Sequence, residues 1–266
     1  LVPLTLELGG KSPVILSESA DVGLAAARIM AGKTLNAGQI CLAPDYVLTP
    51  ETKIGEFIEE ARQSVTRMFP TLRDNPDYTA IIAQDHYERI TGYIDDARAK
   101  GAQVVELNPA GEDFSQQPYR KIPPTLILNP TEDMAVMQEE IFGPVLPVKT
   151  YRNTQEAIDY VNSHERPLAL YWFGTDEAEK DRVLTQTTSG GATVNDVIFH
   201  VAQEELPFGG VGPSGMGSYH GHDGFKEFSH RKSVYSQLKK DIGPLQRMRP
   251  PYGPAIAGYL KGAIKH

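Results

Sequence analysis

The 266-residue sequence contains one cysteine, Cys41, so no internal disulfide can form and no oxidising compartment is implied. Basic residues are also scarce. There are 26 of them against 34 acidic ones, a formal net charge of −8, and they form no cluster, which argues against a nucleic-acid surface. No apolar run approaches the roughly 20 residues needed to cross a bilayer. The opening LVPLTLELGGKSP lacks the basic segment and long apolar core of a signal peptide. No internal repeat is present. These absences predict a soluble, cytoplasmic protein with neither nucleic-acid nor membrane partners. Leu1 is not a methionine, and the chain opens in strand-like sequence, so a piece of a longer polypeptide is expected.

Short apolar stretches alternate with amphipathic ones. LTLEL (4–8) and PVILS (13–17) read as strands around Gly9, Gly10 and Lys11. Asp21 is placed to cap a helix with Val22, Ala25, Ala26 and Ile29 on one face. A strand at 46–49 precedes a helix marked by Ile54, Phe57, Ile58, Ala61, Val65 and Met68. Tyr87, Ile90, Ile94 and Ala97 mark another helix, ending at Gly101, before a strand at 102–107 and a surface loop at 108–120. Strands at 125–128, 145–151, 168–173 and 191–195 then alternate with helices near 154–162 and 176–186. This rhythm predicts an α/β fold, a largely parallel sheet flanked by helices on both faces. One domain is expected over 1–236, with a peripheral tail at 237–266.

GVGPSG (210–215) matches the G-x-G-x-x-G pattern of dinucleotide folds, but that motif works only between a strand and a helix. Pro207 precedes it, and the glycine-rich MGSYHGHDG that follows argues against a helix, so an irregular, close-packed loop is expected. His220, His222 and Asp223 cluster there, at a spacing that matches no standard zinc pattern, and no metal is assigned.

Cys41 lies in NAGQICLAPDYV, among polar and flexible residues and three positions before Pro44. That context suits an exposed turn, where a thiol can attack an electrophilic carbon, rather than a packing cysteine. Glu7 ends the first strand-like run, and strand ends are where α/β folds place catalytic groups. A solvent-facing glutamate and a buried, inert thiol are the alternatives.

LELGGKSP, GQICLAPDYV, EEIFGPVLPV (139–148) and LPFGGVGPSGMGSYHGHDGFKEFSHRKSV (206–234), in this order, resemble the NAD(P)-dependent aldehyde dehydrogenase family. CLAPDYV, NDVIFHVAQEELPFGG and GMGSYHG are similar to its class-3 branch and to bacterial coniferyl aldehyde dehydrogenases. The resemblance implies that Cys41 attacks an aldehyde, of the aromatic coniferyl type in this branch, and that Glu7 activates water against the resulting thioester. It implies that Glu140 holds the nicotinamide ribose of NAD or NADP and that Phe142 packs beside the ring. It further implies a homo-oligomer, and a nucleotide-binding Rossmann domain situated mostly ahead of the Glu7 strand. The chain is therefore expected to be the catalytic portion alone, weak in nucleotide binding and inactive by itself.

Two other functions remain open on the residues. A cysteine-dependent esterase or thioesterase needs a histidine beside Cys41. A non-catalytic interaction domain would bury Cys41 far from Glu7. Ile198, Phe199, His200 and Phe208, in the loop 196–208, are candidates for a substrate mouth. Trp172 reads as strand packing, and Lys11 as a surface lysine at a strand end.

Overall fold

The computed structural model describes residues 2–240 and 249–264. The chain forms two units, Leu1–Phe228 and Ser229–His266. In the first, a seven-stranded sheet has the order β4-β5-β6-β3-β2-β7-β8. Its strands are β2 (Pro13–Leu16), β3 (Tyr46–Pro50), β4 (Gln103–Glu106), β5 (Thr125–Leu128), β6 (Val145–Tyr151), β7 (Ala169–Phe173) and β8 (Gly191–Val194). All neighbours are parallel except the edge strand β4, which runs antiparallel to β5.

The four residues of β2 are all buried, as expected of a strand covered on both faces. Side chains alternate across a strand, so Val14 and Leu16 face one layer and Ile15 the other. The first layer is made by helices α1 (Val22–Thr34) and α2 (Ile54–Met68), through Ala25, Ala26, Ile29, Phe57, Ala61 and Val65. The opposite layer is made by α3 (Gln84–Ala99), α5 (Thr154–Asn162) and α6 (Glu177–Gln186). There Trp172 is buried among Ile15, Leu48 and Val183, the packing role read from its strand context. Asp21 caps α1 by accepting the Leu24 N–H at 2.9 Å. The short helix α4 (Ala135–Gln138) precedes β6.

Two sequence expectations need correction. Only Leu6 and Glu7 of LTLEL form a strand, β1, and both are exposed, so β1 is not of the buried type. It stands outside the parallel sheet, in an antiparallel ribbon with β9 (Gly215–Met216), pairing Leu6 with Met216 and Glu7 with Gly215. The glycine-rich stretch does contain a helix, α7 (Gly221–Glu227). Glycine disfavours helix by only about 1 kcal/mol per residue, which tertiary context overrides. The GVGPSG segment itself is a tight turn. The Val211 N–H donates to Ser214 Oγ at 2.9 Å, and the Gly215 N–H to the Gly212 carbonyl at 3.1 Å. It is not a phosphate loop between strand and helix.

In the second unit, the described residues include one helix, α8 (Pro254–Ala263), opened by Pro254. This unit begins ahead of residue 237, and part of the expected tail, 241–248 and 265–266, lies outside the described residues. No helix among the described residues is long and apolar enough to cross a membrane.

Candidate active site

A cavity of about 420 Å³ is lined by Glu7, Leu8, Gly9, Cys41, Glu140, Phe142, Leu168, Phe208, Gly209 and Gly210. The four residues singled out in the sequence thus share one wall-to-wall space. Its position is unlike that expected. Glu7 precedes β2, Cys41 precedes β3, Glu140 and Phe142 precede β6, and Leu168 precedes β7. These strands are parallel, so the cavity opens at their amino ends, not at the carboxyl ends where open α/β sheets usually bind ligands.

One buried carboxylate, Asp45, ties the three polar segments together. Its N–H donates to the Ser12 carbonyl at 2.8 Å, Oδ2 accepts from Lys11 Nζ at 2.5 Å, and Oδ1 accepts the Ile141 N–H at 2.9 Å. Lys11 also donates to the carbonyls of Val136 and Glu139. It is therefore a cross-link with its side chain 16% exposed, not the surface lysine expected. Neither role was visible in the sequence. A carboxylate in the residue just before a buried strand, as in CLAPDYV, was the available signal.

Cys41 sits in the turn between α1 and β3, half-buried, with one side against the core. The chain reaches that turn through three consecutive left-handed residues, Asn36 (φ 49°), Ala37 (φ 53°) and Gly38 (φ 73°). The Gln39 side chain pins the turn, donating to the carbonyls of Asn36 and Ala80 and accepting the Ile82 N–H. On the far side, the Tyr171 hydroxyl donates to the Leu42 carbonyl at 2.6 Å. The Cys41 thiol is pushed above its ordinary pKa, first by burial and then by the charges of Glu140 and Glu7. The amides of Cys41 and Leu42 act the other way, as donors toward the sulfur.

Glu140 is half-buried against the Gly9–Gly10 backbone. A Cβ at Gly9 would lie 2.0 Å from Glu140 Oε2, so a side chain there would displace the carboxylate. Burial, followed by the Asp45 charge, pushes the Glu140 carboxyl up to about 7, against the Gly10 amide, Lys11 and Lys33. Next to it, Phe142 holds φ at 48°, is 39% exposed and lines the cavity. Backbone outliers of this kind persist where the surroundings enforce them, commonly at ligand sites. The segment is fastened by Arg89, which donates to the Ile141 carbonyl at 3.0 Å, and by Tyr93, which donates to Glu139 at 2.8 Å. Lys33, within reach of the charges of Asp45, Lys11 and Glu140, is 1% exposed, and its Nζ makes no hydrogen bond among the described residues. Burial lowers its pKa to about 8.

Of the loop 196–208, only Phe208 lines the cavity. Ile198 and His200 are buried away from it, His200 beside Thr193 Oγ1 at 2.9 Å, and Phe199 points to solvent. Among the described residues no histidine lines the cavity, which leaves a cysteine-histidine hydrolase without its base there. Cys41 and Glu7 facing one space is likewise not what a non-catalytic domain requires. Among the described residues, no group of three or more His, Cys, Asp or Glu could hold a metal ion, and His220 instead stacks on Phe208.

A thiol, two carboxylates and an aromatic residue share one cavity. The chain belongs to the aldehyde dehydrogenase family, whose model matches residues 1–234. It is 73% identical over 265 residues to the probable coniferyl aldehyde dehydrogenase of Caulobacter vibrioides, covering 100% of this chain and 55% of that protein. A substrate-bound structure of Staphylococcus aureus AldH superposes with a TM-score of 0.86 at 39% identity, over 99% of this chain and 56% of that one. A point mutant of S. aureus betaine aldehyde dehydrogenase in complex with NAD+ gives 0.78 at 30% identity, over 90% of this chain and 48% of that one. The chain spans about half the length of the curated relatives it matches.

Proposed function

We propose that this chain supplies the thiol-bearing catalytic part of an NAD(P)-dependent aldehyde dehydrogenase that converts an aromatic aldehyde of the coniferyl type to its carboxylic acid. The observation that carries this is the single cavity lined by Cys41, Glu7, Glu140 and Phe142. The Cys41 thiolate adds to the aldehyde carbon, forming a thiohemiacetal. The backbone amides of Cys41 and Leu42 favour the charged sulfur and lie beside the negative charge that gathers there. Leu8, Leu168 and Phe208 give the cavity apolar walls suited to an aromatic ring.

Glu140 and Phe142 suit a nicotinamide riboside. A carboxylate seated against a glycine backbone offers oxygens to ribose hydroxyls, and the ring at φ 48° offers an apolar face. The nicotinamide, when bound, supplies the acceptor for the hydride leaving the thiohemiacetal carbon. Cys41 then carries a thioester. Glu7 takes a proton from water, the water oxygen adds to the thioester carbonyl, and the thiolate leaves with release of the acid. The similarity to the probable coniferyl aldehyde dehydrogenase of Caulobacter vibrioides supports the substrate class, and the NAD+ complex of a family member supports the cofactor.

The test is protection of Cys41. Coniferyl aldehyde should slow iodoacetamide labelling of Cys41 reversibly and saturably, and Cys41→Ala should take no label. Labelling indifferent to the aldehyde would refute the assignment. The 266-residue chain by itself should show weak NAD(P)+ binding in calorimetry and no NAD(P)H absorbance with aldehyde. Normal turnover would contradict the second point.

A further inference from the structure

We infer that Tyr219 is the positioning residue for Glu7, an inference that rests on the reading of Glu7 as the base that activates water. Glu7 is exposed and belongs to the two-residue strand β1, outside the parallel sheet, so the core does not fix it. Among the described residues, its carboxylate accepts one side-chain hydrogen bond, at Oε1 from the Tyr219 hydroxyl, 212 positions along the chain. Tyr219 is itself held on several sides. Its N–H donates to the Phe208 carbonyl and its carbonyl accepts the Phe208 N–H, both at 2.8 Å. Its ring packs edge-on against Phe208 at 5.7 Å and against His220 at 4.8 Å between centroids. Phe208 lines the cavity, so the phenol is an arm braced on the cavity wall. The base of β1 is tied separately, by Thr5 Oγ1 donating to Glu227 at 2.5 Å.

The chemical consequence follows from the single donor. The hydroxyl occupies Oε1 and leaves Oε2 open to accept a proton from water. A carboxylate on an exposed two-residue strand, without that bond, is free to rotate and lose that orientation. Tyr219 is not among the residues that line the cavity, so its effect is confined, through Glu7, to the hydrolytic half of the reaction.

The probe is p-nitrophenyl acetate, which acetylates Cys41 without any nucleotide and separates two steps. Release of p-nitrophenolate reports acylation, and intact-protein mass reports loss of the acetyl group. Glu7→Gln should slow deacylation by roughly a hundredfold, the usual reach of a general base. Tyr219→Phe should slow it about tenfold, as for a lost hydrogen bond to a charged group, with acylation unchanged. The double variant should be no slower than Glu7→Gln alone, because Tyr219 acts through Glu7. Glu7→Asp, which leaves the tyrosine in place but withdraws the carboxylate from it, should slow deacylation at least as much as Tyr219→Phe. Wild-type deacylation in Tyr219→Phe beside a slow Glu7→Gln would overturn the inference and leave the Glu7 assignment standing. Wild-type deacylation in Glu7→Gln would remove both. A double variant slower than Glu7→Gln by the full tyrosine factor would also overturn it.

Discussion

Replacing Glu140 by glutamine should make Cys41 more reactive, although the substitution removes a carboxylate from the proposed cofactor wall. Glu140 and Cys41 line one cavity and the Glu140 charge acts on the thiol, so a separation of roughly 10 Å sets the scale. Two unit charges at that distance repel by about 0.4 kcal/mol in bulk water and about 1.7 kcal/mol at an effective dielectric constant near 20. The cavity is open and Cys41 only half-buried, so salt at 0.1 M, with a Debye length of about 10 Å, trims the upper figure. A value near 1 kcal/mol corresponds to roughly a fivefold gain in thiolate at pH values below the thiol pKa. The pH dependence carries the sign. The Glu140 carboxyl titrates at about 7, so below pH 6 it is neutral and the variant should match the wild type. Above 7 the wild-type carboxylate is charged and opposes thiolate formation, and the ratio of variant to wild-type rate should rise. The assay is iodoacetamide alkylation of Cys41 from pH 5.5 to 8.5. A ratio constant across that range, or a slower variant above pH 7, would refute the electrostatic coupling.

Two further substitutions probe the frame around the site. Gly38→Ala should destabilise the protein by more than about 2 kcal/mol in urea unfolding, since φ is +73° and the new Cβ would lie 2.3 Å from the Gly143 carbonyl oxygen; unchanged stability would mean that the approach to Cys41 is loose. Lys33→Met should stabilise the protein at pH 7 by about 3 kcal/mol, because folding holds this amine at a pKa of about 8, below its usual 10.5. The penalty is full below pH 8, where both states are protonated, and it fades towards pH 10.5 as the unfolded chain loses its proton. A gain independent of pH would assign the effect to packing instead.

The sequence by itself determined the local elements. A period of 3.6 set the helices, and unbroken apolar runs such as PVIL and TLIL set the strands of the parallel sheet, because burial on both faces demands them. A lone thiol in a turn and a carboxylate ending a strand-like run marked Cys41 and Glu7 as candidates, whereas Glu140 and Phe142 in EEIFGP came only from the resemblance of the ordered blocks to a family, not from periodicity.

Tertiary structure decided the rest. LTLEL has the alternation of a half-buried strand, yet its partner, β9, lies more than two hundred residues away in a glycine-rich segment with little strand propensity. Pairing at that distance is invisible to any local window. The same holds for Asp45, Lys11 and Tyr219. Each looks ordinary in its own stretch, and each gains its role from a partner on another segment: Ile141, Asp45 and Glu7. Propensity and pattern report what a residue does to its neighbours in the chain. Which amino ends of parallel strands converge on one cavity, and which buried charge holds them there, follows from the crossover connections that bring those ends together.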